Sequence, residues 1–433
     1  MIYYPQATGS IEEDTRAIQG CLDQASSDGG GTVWLSAGTA YHSKSLTLRG
    51  HVTLHLENGA RLVASGDIGD YRAEGGIDTD ETRGVGTPVL RKPAFAFLYA
   101  YDAPSVVISG EGRIEGNCFQ FVHRVNPYYH AGSFYPRPTL IYLERCDNLV
   151  VRDVTLADSP FWSLHVAGSD NVLISAITIA NPLDVANSDG IDIDHSTNVR
   201  IIGCHVRCAD DGICLKNTAG NRGYPPTAQV LISDCTVIST SAALKIGTEG
   251  VDDFADILVQ NCIISASNRG ISIQIRDGGS VTNARFSNIL IRTRLFSADY
   301  WGKGEAIAIT SFDRDHKTES GKISRIRFAS IATEGEGGVL IAGDEGKISD
   351  IRFEDTEVRL TKTSSWPVVG YDLRPRERKP DLLERPVSAF YLSNATDIRF
   401  SDVRASIEAH EGFSTTLLES ESASWSGEVE PLN

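Results

Sequence analysis

The sequence has no run of apolar residues long enough to cross a bilayer as a helix, which takes about 20. Its opening, MIYYPQATGSIEEDTR, also lacks the basic start and the apolar stretch of about 7 to 15 residues that an export signal requires. A cytoplasmic location is therefore expected. Positive charge is scarce: 40 Lys and Arg against 57 Asp and Glu leave a formal charge of -17. Nucleic acids and anionic membranes both select a concentrated basic face, so neither is expected as a partner. The eight cysteines lack the paired spacing of a zinc site, because Cys204 and Cys208 have no matching second pair. Cys204, Cys235 and Cys262 instead hold the same place in IIGCHV, LISDCTV and LVQNCII, which predicts stacked, buried thiols.

What the chain does have is a recurring strand phrase and, at 41% hydrophobic residues, enough apolar material for a large core. The phrase begins as NLVVRDVTL at Asn148, NVLISAITI at Asn171, NVRIIGCHV at Asn198, QVLISDCTV at Gln229, DILVQNCII at Asp256 and NARFSNILI at Asn283. Weaker copies follow in RIRFASI, DIRFEDTEV and DIRFSDV. Successive starts lie 23, 27, 31, 27 and 27 residues apart, the irregular period of a solenoid. Within each phrase apolar and polar residues alternate and many are β-branched, which is strand periodicity. The repeats have no room for a long helix, and the leucine spacing of a leucine-rich horseshoe is absent. The pattern predicts a right-handed, single-stranded parallel β-helix, all-β, with rungs about 4.8 Å apart. One continuous domain over 1–433 is expected, because repeat architectures can extend one core far beyond ordinary domain length.

The segment EEDTRAIQGCLDQASSDGGG carries Ala17, Ile18, Cys21 and Leu22 at helical spacing, then a glycine stop. It predicts a capping helix within about residues 11–30. Insertions at 68–95, 119–139, 294–304, 311–322 and 362–387 interrupt the coil, and such excursions commonly wall a groove. The 119–139 stretch is rich in aromatic residues, suited either to stacking on sugars or to loop packing.

A second strand column aligns Ile141, Leu164, Ile191, Ile213, Leu244 and Ile271 as inward residues. Residues one further on, Tyr142, His165, Asp192, Cys214, Lys245 and Ser272, should then point outward. So should those three further on: Glu144, Ala167, Asp194, Lys216, Gly247 and Gln274, with Arg276 beyond. Asp189 and Asp211 each lie two residues before an anchor, so the alignment stacks them on adjacent rungs with Asp210 beside them. Aspartates next to Asn187, Gly190 and Gly212 can simply cap turns. Two such motifs at matching depth suggest more, because crowded carboxylates repel and one can be kept protonated as an acid. Cleaving a glycosidic bond needs one carboxylic acid and one carboxylate. Three aspartates allow one acid and two that hold and deprotonate water, which favours inversion.

At these residues the chain resembles family-28 glycoside hydrolases, the polygalacturonase family. NSDGIDIDHSTNVRI (187–201) is similar to that family's Asn-Thr-Asp-Gly motif, with Ser188 for threonine. CADDGICLKNT (208–218) is similar to its Asp-Asp motif, with Gly212 where cysteine is usual. SPFWSLHV (159–166) and DGGGTVWLSAGTA also match, and the likeness runs over roughly residues 10–310. The resemblance implies an inverting hydrolase in which Asp210 is the general acid and Asp189 and Asp211 bind and activate water. Two motifs depart from the family. SAALKIG (241–247) puts Ala242 at the family's histidine and Lys245 at its serine. The substrate-binding Arg-Ile-Lys falls on Ser272, Ile273 and Gln274.

Lys216, Lys245 and Arg276 could restore positive charge for a sugar carboxylate, or could bind neutral hydroxyls and balance the aspartates. Trp162, His165, Asp192, Gln274 and Trp301 complete the expected substrate contacts, and Tyr300 and Glu305 are expected near the same groove. Trp162 is alternatively a core residue. The expected activity is exo-cleavage of pectin-derived or related plant oligosaccharides, with no cofactor. A Ca²⁺-dependent lyase, with Asp189, Asp192, Asp210 and Asp211 around the ion and Lys216 or Lys245 as base, is one alternative. A non-catalytic carbohydrate-binding solenoid is another.

Overall fold

The computed structural model describes residues 1–71, 95–126, 129–131, 137–297, 300–376 and 380–432. The chain divides into two compact units, one of residues 1–210 with 220–225 and one of 211–219 with 226–433. Both are built as a parallel β-helix. The local reason lies in the corners. Asn148, Asn171, Asn198, Gln229, Asp256, Asn283, Arg325, Asp350 and Asp397 all have φ between 51° and 59°, the left-handed region. A second left-handed residue follows five positions later in every case, at Asp153, Ala176, Gly203, Asp234, Asn261, Asn288, Ser330, Asp355 and Asp402. Short Asn and Asp side chains tolerate this conformation better than most. Each corner resets the in/out alternation, so that Ile257 and Val259 are buried before Asn261 and Cys262 and Ile264 after it. The strand phrases are thus the two faces of a coil, folded at their polar residues.

In the first unit three parallel ladders climb from coil to coil. One includes Val52–Leu56, Val107–Ser109, Val150–Arg152, Asp170–Ser175 and Thr197–Ile202. A second runs through Arg61–Ala64, Arg113–Glu115, Thr155–Ala157, Thr178–Ala180 and His205–Cys208. The third, which carries the site, joins Ala96–Tyr101, Thr139–Glu144, Leu164–Ala167 and Ile191–Asp194. Its register is Ile141↔Leu164↔Ile191, as the alignment expects. The N-terminal helix spans Ile11–Ser27 and buries Ile18, Leu22 and Ala25, leaving Ala17 and Cys21 half-buried. Among its early acidic residues Asp14 stands apart. Wholly buried, it accepts from the Thr8 and His42 backbone N–H groups and ties the helix to the first coil.

In the second unit two ladders fuse into long bent strands, Phe254–Ser267, Val281–Thr293, Ile323–Gly335, Ile348–Leu360 and Ala395–Ile407. The other ladder, Ile213–Asn217, Ala242–Gly250, Arg269–Ile275, Glu305–Ser311 and Gly337–Gly343, has the register Ile213↔Leu244↔Ile271. Phe286, Phe328, Phe353 and Phe400 stack in the core with successive centroids 5.0, 4.9 and 5.7 Å apart. Cys235 and Cys262 are buried neighbours, as expected of a thiol column. Two insertions form small antiparallel pairs, His123–Asn126 with Tyr129–Ala131 and Tyr371–Asp372 with Leu382–Leu383. Most of the 68–95 insertion, and residues 127, 128 and 132–136 of the aromatic one, lie outside the described residues.

Asn283 illustrates the corner requirement, since its side chain also donates to Asp256 on the coil below at 2.6 Å. Asn283→Val should lower unfolding free energy by about 1–2 kcal/mol, whereas Asn283→Gly should cost less, because only the β-branched residue resists a positive φ. Urea unfolding of the two variants checks this ordering.

Candidate active site

The turn carrying Asp189 is locked from below. Ser163 donates to the Asp189 carbonyl through both its backbone N–H (2.9 Å) and its hydroxyl (2.7 Å). The Asn181 amide in turn donates to the Ser163 hydroxyl (2.7 Å) and the Ser188 carbonyl (3.0 Å). Ser188 accepts from the Ala209 N–H at 3.3 Å, linking this turn to the one that carries Asp210. Asn187, at φ 57°, aims two N–H donors at Asp210 Oδ2, from its backbone at 3.2 Å and from Nδ2 at 3.4 Å. The structure thereby brings Asp189 and Asp210 together: both are buried, with carboxylate oxygens within 4.8 Å of each other.

One residue of this arrangement escaped the sequence reading. Arg137, 1% exposed, donates to Asn187 Oδ1 (2.7 Å) and to the carbonyls of Ala186 (2.6 Å) and Pro160 (3.1 Å). Its guanidinium lies over the Phe161 ring, 5.2 Å from the centroid. Flanked by two prolines and fifty positions from Asn187, it shows no periodicity that could have flagged it.

Asp211, the next residue after Asp210, is held in the second unit. Lys245 Nζ donates to its Oδ2 at 2.7 Å and the Ser241 hydroxyl to its Oδ1 at 3.0 Å. Burial, the largest influence, would lower the Lys245 pKa, but Asp211 together with Cys214 and Glu249 outweighs it and holds the ammonium above its ordinary value. Lys216 was expected to face outward toward substrate, yet it is 2% exposed and paired with Glu249 at 3.0 Å. Arg276 is likewise enclosed, donating to the carbonyls of Pro375 (2.6 Å), Ile275 (2.8 Å) and Leu373 (3.0 Å). Gln274 reaches the Arg374 carbonyl at 3.4 Å. These three correct the picture of solvent-facing groups: Lys216 is paired internally with Glu249, and residues 373–375 supply carbonyl partners to Arg276 and Gln274.

The polar column of the first unit is also covered. Asp194 accepts from Asn221 Nδ2 (2.7 Å) and meets His165 Nε2 (3.2 Å) and His195 Nδ1 (2.8 Å). Burial opposes its ionisation, but the two imidazoles outweigh that and keep its carboxyl well below the usual range. Tyr142 and Tyr224 both donate to Glu144. The Tyr224 ring packs where a Cβ on Gly168 would sit, and this close approach requires glycine there. His165 and Asp192 are therefore buried, not surface contacts. Trp162 stacks on Phe161 and meets His165 edge-on, which fits its core reading. Trp301 carries the Arg374 guanidinium 5.0 Å from its ring centroid. Tyr300 accepts from Arg374 at 3.0 Å through its carbonyl, while Glu305 is buried against Arg269 at 2.9 Å.

The Asp189 and Asp210 oxygens are close enough to share a cation. The two N–H donors that Asn187 aims at Asp210 Oδ2, however, suit a carboxyl group better than they suit an ion that requires six to eight oxygens. A second cluster sets acid stability. Burial raises the Glu249 carboxyl, but Lys216, Arg314 and Lys245 outweigh it and bring it down to about 2. A depressed carboxyl contributes stability above its unfolded value near 4.5 that is lost as pH falls through its folded value. On the order of 3 kcal/mol should therefore disappear between about pH 4.5 and 2. Glu249→Gln, though less stable at neutral pH, should show a flatter profile in that window by chemical unfolding.

Residues 92–367 match the sequence profile of Glycosyl hydrolases family 28. The chain is 30% identical over 302 residues to a "Probable polygalacturonase" of Vitis vinifera, covering 67% of this chain and 60% of that protein's length. Among solved structures it is similar to the family 28 exopolygalacturonase of Yersinia enterocolitica, with TM-score 0.72, 16% identity, all of this chain and 79% of the other. It is also similar to a hyperthermoactive exopolygalacturonase of Thermotoga maritima, with TM-score 0.67, 19% identity, 83% of this chain and 89% of the other. At such identities the structural likeness carries the parallel β-helix and no more. The profile match extends over more than half of the sequence and includes all three aspartates, and on that ground the chain belongs to Glycosyl hydrolases family 28.

Proposed function

We propose that the protein is an inverting glycoside hydrolase that acts from the end of pectin-derived or related oligosaccharides. Asp210 is the general acid, and Asp189 and Asp211 hold and deprotonate the attacking water. The observation that carries this reading is the close Asp189–Asp210 pair with Asp211 one residue along, set in contrasting surroundings. Asp210 faces the neutral amides of Asn187, which are compatible with a carboxyl group that gives up a proton. Asp211 faces the Lys245 ammonium, the kind of partner that complements a carboxylate drawing a proton from water.

In the reaction the glycosidic oxygen takes a proton from Asp210 as its bond to the anomeric carbon breaks. Water held by the other two carboxylates adds from the opposite face and gives its one proton to one of them, so the anomeric configuration inverts. The pectic substrate is supported by family membership and by the names of the relatives. Exo-action is supported by the insertions beside the strand column. Recognition of a sugar carboxylate falls to Lys245 more than to Lys216 or Arg276, because its side chain is the least enclosed of the three, 11% exposed against 3% for Lys216, with Arg276 wholly buried.

Reducing-end release should be screened on pectic, rhamnogalacturonan and neutral plant oligosaccharides. The expected result is release of single terminal sugars, inverted by proton NMR, with Asp210→Asn slower by about 10²- to 10⁴-fold. Equal activity in the variant would remove Asp210 from the acid role. A chelator-sensitive product with new ultraviolet absorbance would indicate a lyase instead.

A further inference from the structure

We infer that Arg137 is a positioning residue of this site: acting through Asn187, it decides which oxygen of the Asp210 carboxyl carries the proton. The inference rests on the reading of Asp210 as general acid. A guanidinium can only donate hydrogen bonds. Because Arg137 donates to the Asn187 side chain at 2.7 Å, the amide must turn its oxygen toward Arg137. Its Nδ2 then necessarily faces Asp210, 3.4 Å from Oδ2. The Asn187 backbone N–H, brought round by the left-handed φ of 57°, aims at the same oxygen from 3.2 Å.

Two donors on Oδ2 favour the carbonyl form of that oxygen, the better acceptor of the two in a neutral carboxyl group, so in the acid form the hydrogen sits on Oδ1. Without Arg137 the amide can rotate by half a turn and offer its oxygen to Asp210. That arrangement would favour a hydrogen on Oδ2 and misdirect the acid. Arg137 itself is 1% exposed with its guanidinium over Phe161, so its route to the reaction runs through Asn187 and not through solvent. Its bonds to the Ala186 and Pro160 carbonyls hold the fork in the orientation that serves Asn187.

A fault in proton delivery has a signature that general loosening lacks. It slows departure of a poor leaving group and spares one that needs little protonation. The test therefore compares an oligosaccharide that the wild type cleaves with the same sugar carrying a nitrophenyl leaving group. Arg137→Lys keeps the charge but loses the fork. It should lower kcat on the oligosaccharide roughly 10- to 100-fold with KM within about twofold, and lower the nitrophenyl rate less than about threefold. Asn187→Ala should show the same split. An even loss on both substrates, or no loss on the oligosaccharide, overturns the inference. Should Arg137→Lys not fold, Asn187→Ala decides alone, since Arg137 is argued to act only through that amide. Asp210→Asn in the same comparison separates the two levels. If it shows the split and the other variants do not, only the role of Arg137 fails; if it shows none, the general-acid reading fails and this inference with it.

Discussion

Within each unit the backbone of one coil is hydrogen-bonded to the next, and this ladder constrains everything else. It holds Leu164 over Ile141 and under Ile191, and Leu244 between Ile213 and Ile271, so each side chain's neighbours above and below are set by the main chain. Apolar side chains exploit this directly: the Phe286, Phe328, Phe353 and Phe400 rings repeat one packing solution along the core. The left-handed corners are what permit it, because a chain that only alternated could not keep one face inward while turning.

Polar columns meet the same constraint with less freedom. Carboxylates arranged by a ladder would repel unless cationic partners lay among them, and several buried acids of the two units have such partners. Asp194 lies between His165 and His195, Asp277 is forked by Arg314, and Glu305 and Asp372 share Arg269. Such pairs are costly to break from one side, because the remaining charge is stranded out of water. The strand columns beside the turns that carry Asp189 and Asp210 are therefore stiff. Against that background the neutral amide contacts of Asp210 differ from the cationic contact of Asp211.

Much of this was legible. The phrase starts at Asn148 through Asn283 are the left-handed corners themselves, and the inward anchors chosen from alternation keep the expected register in both units. Asp189 and Asp210 converge from separate turns, with Asp210 beside the position that alignment gave to Asp211 at the depth of Asp189. What misled was the inference from outward to exposed. Tyr142, His165, Asp192, Lys216 and Arg276 point away from the coil interior but are covered, since loops with no strand period fold over them. Nothing in the alternation of a strand records what lies on top of it.

The sequence alone determined the coil, its corners, its register and the placing of aspartates, because period-two alternation and a repeated phrase have essentially one solution once backbones must pair in parallel. Tertiary structure decided the partners. Lys216 meets Glu249 thirty-three residues away, Arg276 meets the carbonyls of 373 and 375, and Arg137 meets Asn187 across fifty residues. Those pairings depend on where irregular segments return to the coil, which local preference does not encode, and on the need to satisfy every buried donor and charge, which exists only after the chain has closed over them.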